Sequence, residues 1–148
     1  MATERTAHVT WNGTLMEGKG TIDHVGSEAF GPLEVTWPAR ADEESGGLTS
    51  PEELLAAAHA ACFSMALSHG LAQAGTPAVE LRTTATVTFV PGTGITKIVL
   101  AVRGEMPGAD EAAFRAAAEA AKENCPISKA LAGVHEILLD TRSSIRSE

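Results

Sequence analysis

Two cysteines, Cys62 and Cys125, are the residues in this chain best suited to covalent chemistry. A thiol attacks only as its thiolate, so each must be judged by what would ionise it. Leu55, Ala58, Cys62 and Met65 fall near one stripe at helical spacing. A cysteine in such company behaves as a small hydrophobe, and an apolar site raises its pKa. Cys62 would therefore need a cation nearby to react. Cys125 precedes Pro126, a residue favoured at a first helical position. That places Cys125 at a helix N-cap, where amide groups favour the thiolate. The competing reading is a cysteine that fills a corner between two helices. By position alone, Cys125 is the more reactive thiol.

Three other residues bear on these thiols. His59 is one helical turn before Cys62 and could act as its base. His59 and the two cysteines could also form a sparse metal site, but they lack the closely spaced ligand pairs of zinc motifs. The bland alternative is a buried, hydrogen-bonded histidine. Arg40 and Glu52 flank an acidic loop. They are either a solvated ion pair or a device that brings a guanidinium to a thiolate, with Glu52 holding it. Glu52 and Cys62 are ten residues apart, which is about 15 Å along one helix. An arginine bridging both would need a later helix start or a Glu52 from a second chain.

The elements that position these residues are legible. Ala7, Val9 and Trp11 alternate with His8, Thr10 and Asn12, which predicts a half-buried strand over 6–12. A second strand is expected near Gly20–Val25, and a third over Leu33–Trp37, stopped by Pro38. Residues 41–50 read as a loop. Ser50-Pro51-Glu52-Glu53 then combines an N-cap, a first-turn Pro and a Glu three residues after the cap. A long, Ala-rich helix follows to Ala74, closed by Gly75 and Pro77. Thr83–Val90 and the strand marked by Ile98, Leu100 and Val102 form a hairpin. A second helix runs from Asp110 to Glu123, a short third begins near Ile127, and Val134–Thr141 is a last strand. This order predicts an α+β fold with antiparallel sheet. One sheet covers one face of the long apolar helix, so a symmetric partner chain is expected to cover the rest.

Composition sets the frame. The 148 residues fit a single domain, 1–148, long enough to bury a core. Eleven Lys and Arg against nineteen Asp and Glu give a net charge of −8, which disfavours a nucleic-acid binder. No apolar run is expected to reach a membrane span, and the N-terminus lacks a signal-peptide core. The expectation is a soluble cytoplasmic protein with no membrane partner. That compartment keeps thiols reduced and disfavours a structural disulfide.

TSPEELLAAAHAACFSMALS and NCPISKAL resemble the two motifs of the osmotically inducible protein C (OsmC) and organic hydroperoxide resistance (Ohr) family. The resemblance covers essentially the whole chain, and AAHAACFSMALS is similar to the OsmC branch. WPAR carries an arginine where that branch has its active-site Arg. The Ohr branch places its arginine near the position of Lys19, where none stands. The resemblance implies antiparallel sheets wrapped around long central helices in an intertwined homodimer. It implies a thiol-dependent peroxidase that reduces organic hydroperoxides, and hydrogen peroxide as a second substrate. Cys62 corresponds to the peroxidatic cysteine and Cys125 to the resolving one, which reverses the ranking by position. Arg40 and Glu52 correspond to the pair that activates the thiolate. The implied partner is an external dithiol, often lipoyl in this family, with no metal or other cofactor. The runner-up is a non-catalytic, redox-sensing or small-molecule-binding dimer of the same fold.

Overall fold

The computed structural model describes residues 1–144. The chain divides into two compact units, Met1–Leu54 and Leu55–Glu148. The first holds three strands, β1 (Ala7–Asn12), β2 (Lys19–Val25) and β3 (Leu33–Val35), in an antiparallel sheet of order β1-β2-β3. Gly20 of β2 pairs with Trp11 on one side and Val35 on the other. A Cβ at Gly20 would lie 2.6 Å from the Trp11 ring, so only glycine lets that indole cross the sheet. All six residues of β1 are exposed. The half-buried face expected from its alternation is therefore uncovered in a single chain.

The third strand ends earlier than expected. Thr36 is the N-cap of a short helix, α1 (Trp37–Ala41), and its Oγ1 accepts the Ala39 N–H at 3.1 Å. Pro38 sits in the first turn, where its missing N–H has no intrahelical partner to lose. Pro38 thus starts a helix rather than stopping a strand, and Arg40 lies in the last turn.

The long helix, α2 (Pro51–Gln73), begins at the predicted signal. The Glu53 N–H donates to Ser50 Oγ at 3.1 Å, and the Glu53 carboxylate accepts from Thr49 Oγ1 at 2.9 Å. At the other end Gly75 has φ 84°, and the Thr76 and Gly75 amides reach back to the Leu71 and Ala72 carbonyls. This double bond pattern is a Schellman ending. His59, Phe63, Leu67 and Leu71 are buried at i, i+4 spacing, whereas Ala58 and Met65 are exposed. Cys62 sits between those two faces rather than on one stripe with Ala58 and Met65. By length and hydropathy α2 also meets the criterion for a membrane span, contrary to the expectation from the sequence. Alanine, leucine and phenylalanine serve a buried core as well as a bilayer, and Phe63, Leu67 and Leu71 belong to the core of the second unit.

In the second unit β4 (Glu80–Val90) and β5 (Gly94–Glu105) form the predicted hairpin. Two helices follow, α3 (Glu111–Asn124) and α4 (Pro126–Ala130), then β6 (Glu136–Ser144). β6 pairs with β5 in parallel, from Lys97↔Glu136 onward. The purely antiparallel sheet is thus corrected to a mixed one. The reason is the connection: two helices intervene, and so long a crossover returns the chain in the same direction. Asp110 caps α3 by accepting the Ala113 N–H at 2.7 Å. Phe114, Ala118 and Ala121 pack inward, joined by Leu100, Val102, Met106 and Cys125. Gly104 makes this docking possible, because a Cβ there would stand 2.6 Å from Met106 Sδ and 2.7 Å from the Phe114 ring.

Candidate functional site

The predicted residues assemble as two pairs, one in each unit. In the first unit, Arg40 Nε donates to both carboxylate oxygens of Glu52, at 2.8 and 3.1 Å. α1 delivers the arginine, and the first turn of α2 delivers the glutamate. The Glu52 side chain is only 9% exposed and that of Arg40 33%. This is a shielded pair, not the solvated one that composition would favour. The pair forms within one chain, and α2 starts at Pro51, so the later helix start is excluded. The Arg40 guanidinium also lies 6.0 Å from the Trp37 ring centroid, at the limit of a cation–π contact.

The second pair is the thiols. Cys62 projects from α2, and Cys125 is both the C-cap of α3 and the N-cap of α4. Both are free, and each lies within reach of the other's sulfur. Cys125 is fully buried, whereas Cys62 is partly exposed. Burial pushes the Cys62 thiol up, and its neighbour Cys125 adds to the rise, against the Ile127 amide. Burial also opposes ionisation of Cys125, but Cys62, the Ser128 amide and hydroxyl, and the Ile127 amide together hold it below the ordinary thiol value. No cap hydrogen bond of conventional geometry joins that sulfur to α4, so these groups act as weak, diffuse donors. Within one chain the thiolate therefore favours Cys125, as its helix-start position predicts.

His59 is fully buried, and its Nε2 pairs with Ser128 Oγ at 2.8 Å. Burial holds its pKa down, so the ring is neutral. Its hydrogen-bond partner is a hydroxyl on α4. Among the described residues no group of three His, Cys, Asp or Glu is placed to hold a metal ion.

Residues 43–138 match the sequence profile of the OsmC-like proteins. Over 143 residues the chain is 38% identical to peroxiredoxin OsmC of Escherichia coli (strain K12), covering 95% of this chain and 96% of that one. The chain belongs to the OsmC-like protein family. An organic hydroperoxide resistance protein of Xanthomonas axonopodis pv. citri is 30% identical, over 90% of this chain and 92% of its own length. Among solved structures, an organic hydroperoxide resistance protein OsmC from Legionella pneumophila superposes with a TM-score of 0.62 at 25% identity, covering 95% and 96% of the two chains. The higher identity lies on the OsmC side of this OsmC-like chain, as the AAHAACFSMALS motif predicts.

Two residues at these pairs escape sequence reasoning. Trp37 lies three residues before Arg40, and the signal for it was present: Thr36 and Pro38 bracket it as a helix start. Ser128 carries no such signal. Nothing in NCPIS marks its serine as the partner of a histidine 69 residues earlier.

Proposed function

We propose that this OsmC-like protein is a cysteine-based peroxidase that reduces organic hydroperoxides, with hydrogen peroxide as a second substrate. The observation that carries the reading is the thiol pair: a partly exposed Cys62 within reach of a fully buried Cys125. The accessible sulfur suits attack on a peroxide, and the enclosed one suits resolution. The names of the relatives point to the same chemistry.

In this reading the Cys62 thiolate attacks one peroxide oxygen. The O–O bond breaks, Cys62 becomes a sulfenic acid, and an alkoxide leaves and takes up a proton to become the alcohol. Cys125 then attacks the Cys62 sulfur, the S–O bond breaks, and water leaves. The Cys62–Cys125 disulfide that forms spares Cys62 from over-oxidation. An external dithiol, of lipoyl type, restores both thiols by exchange. Two electrons pass from sulfur to the peroxide oxygen, and two return from the external dithiol to the protein disulfide.

Cys62 needs a cation, because burial and its neighbour hold its pKa up. Arg40 supplies it, stabilising the thiolate and then the charge on the leaving oxygen. Glu52 fixes the guanidinium in place. Ten residues of helix separate Glu52 from Cys62, about 15 Å of rise. The Arg40–Glu52 pair of one protomer is therefore assigned to the thiols of its partner in a homodimer. The exposed β1 and the exposed Ala57, Ala58, Ala61 and Met65 of α2 are surfaces such a partner would cover. Free thiols of this kind suit a soluble protein of the reducing cytoplasm.

The test is intact mass after one equivalent of cumene hydroperoxide. Cys125→Ser is expected to carry a sulfenic or sulfinic species on Cys62. Oxidation confined to Cys125 in the Cys62→Ser protein, with none on Cys62 in Cys125→Ser, would invert the two roles.

A further inference from the structure

The sheet of the second unit carries three arginines in one row. Arg82 of β4 pairs in register with Arg103 of β5, and Arg103 pairs with Arg142 of β6. All three are exposed. Val102, the neighbour of Arg103 along β5, is buried in the core that also holds Cys125. Side chains alternate between the faces of a strand, so the guanidiniums stand on the face turned away from that core. Like charges directly opposite on neighbouring strands are destabilising, and here the arrangement occurs twice. A chain with eleven Lys and Arg against nineteen Asp and Glu has partners enough to avoid it.

The acidic residues on this face relieve the row unevenly. Glu80 and Glu105 form the next row, and Asp140 lies two residues before Arg142. Arg82 Nε donates to Glu80 Oε1 at 2.8 Å. Arg142 Nη2 stands 3.8 Å from Asp140 Oδ2, beyond hydrogen-bond distance. Among the described residues the guanidinium of Arg103, in the middle, has no ion-pair or hydrogen-bond partner. A depression of about 310 Å³ lies over the row, lined by the three arginines together with Thr84 and Asp140. Two strand spacings, about 10 Å, separate the outer arginines. A lone carboxylate cannot span that length. A chain of phosphoryl groups can, with acceptor oxygens at intervals along it, and the planar fork of arginine matches phosphate bidentately. Thr84 adds a hydroxyl donor at the edge.

We propose that Arg82, Arg103 and Arg142 form a binding site for a linear oligophosphate, either free or as the phosphate chain of a nucleotide. Bound along the row, the anion gives Arg103 the partner it lacks and turns repulsion between the three guanidiniums into attraction to a common ligand. Glu80 holds Arg82 in place at one end of the row. The net charge of −8 repels anions from the molecule at large, so saturable binding requires a local cationic site of this kind. The site lies on the opposite face of the sheet from the core that holds Cys125, and it stands whether or not the protein reduces peroxides.

The test is calorimetric titration of the full chain with sodium tripolyphosphate at about 0.1 M salt, where charges more than about 10 Å away are screened. Wild type is expected to bind one tripolyphosphate per chain, about tenfold or more tighter than orthophosphate, the scale of one further hydrogen-bonded charge contact. Arg103→Gln is expected to weaken tripolyphosphate by about tenfold or more on the same ground. Arg82→Gln should do the same, and it reads the row independently if Arg103→Gln does not fold. Arg115→Gln removes the same charge from an exposed position on α3 and should leave the affinity within about twofold, because that charge is screened. A nucleoside triphosphate that binds more tightly than tripolyphosphate assigns a nucleotide to the site; one that binds no more tightly assigns the free chain. Absence of saturable binding in wild type would overturn the proposal. So would orthophosphate bound as tightly as tripolyphosphate, or equal losses in Arg103→Gln and Arg115→Gln.

Discussion

Glu52 shows at the scale of one residue what a shielded charge demands. Its carboxylate is almost wholly buried, and both of its oxygens accept from Arg40 Nε. Arg40→Met would leave that charge without its cation. The expected cost is about 1–3 kcal/mol, below that of a fully buried pair because Arg40 is one-third exposed. Urea titration measures it. Arg40→Lys keeps the charge but not the planar fork, so stability is expected to recover further than activity. First-turnover hydroperoxide reduction in Arg40→Lys should fall about 10²-fold, the scale of losing one well-placed donor to a developing oxyanion. His59 makes a second prediction. Its pKa in the fold lies below the ordinary 6.5, so between those values the unfolded chain binds the additional proton. Its contribution to stability is present above 6.5 and is lost as pH falls through the folded value. The fall in urea midpoint from pH 7.5 to 5.5 should be larger in wild type than in His59→Gln. That Cys62, Cys125, Arg40 and Glu52 are the residues to look for could be read from the sequence, because cysteines are few and the motifs around them are long. The Arg40–Glu52 pair was anticipated too, but not that it is shielded within one chain, because spacing within a helix says nothing of how a preceding loop folds back.

Elements place these groups, and their junctions are the sensitive points. Gly104 lets α3 dock its Phe114 on β5. Gly104→Ala would drive a methyl into Met106 and Phe114, both fully buried, at a cost of about 1–3 kcal/mol by thermal or urea unfolding. Ser50→Ala removes one bond to the Glu53 amide and should cost about 1 kcal/mol. The long helix was readable at both ends, since Ser50-Pro51 and Gly75 are physical start and stop signals. The same local logic failed at Pro38, because proline disfavours a strand interior and favours a first helical turn alike. It failed again at β6. Alternation marks a strand and its two faces, but not the direction of its neighbour. Only the course of α3 and α4 decides that β6 runs parallel to β5.

At the scale of the whole molecule, one chain leaves apolar surface uncovered. Val9 and Trp11 of β1 and Met65 of α2 are exposed, Met65 by 73%. A homodimer that covers them should appear by light scattering as twice the chain mass, and its thermal midpoint should rise with protein concentration. A monomer at all concentrations would remove the assignment of Arg40 to the partner's thiols. The family and the mixed α+β architecture were within reach of the sequence, because the two cysteine motifs are specific and the helix signals strong. The division into two units, with the boundary inside α2, was not, because a continuous helix carries no composition break at Leu54. The central claim is that Cys62 attacks the peroxide and Cys125 resolves it. Steady-state consumption of cumene hydroperoxide with dihydrolipoamide tests this most directly in wild type, Cys62→Ser and Cys125→Ser. The account predicts turnover in wild type, none in Cys62→Ser, and in Cys125→Ser a first turnover followed by progressive loss as Cys62 over-oxidises. Undiminished turnover in Cys62→Ser would contradict it.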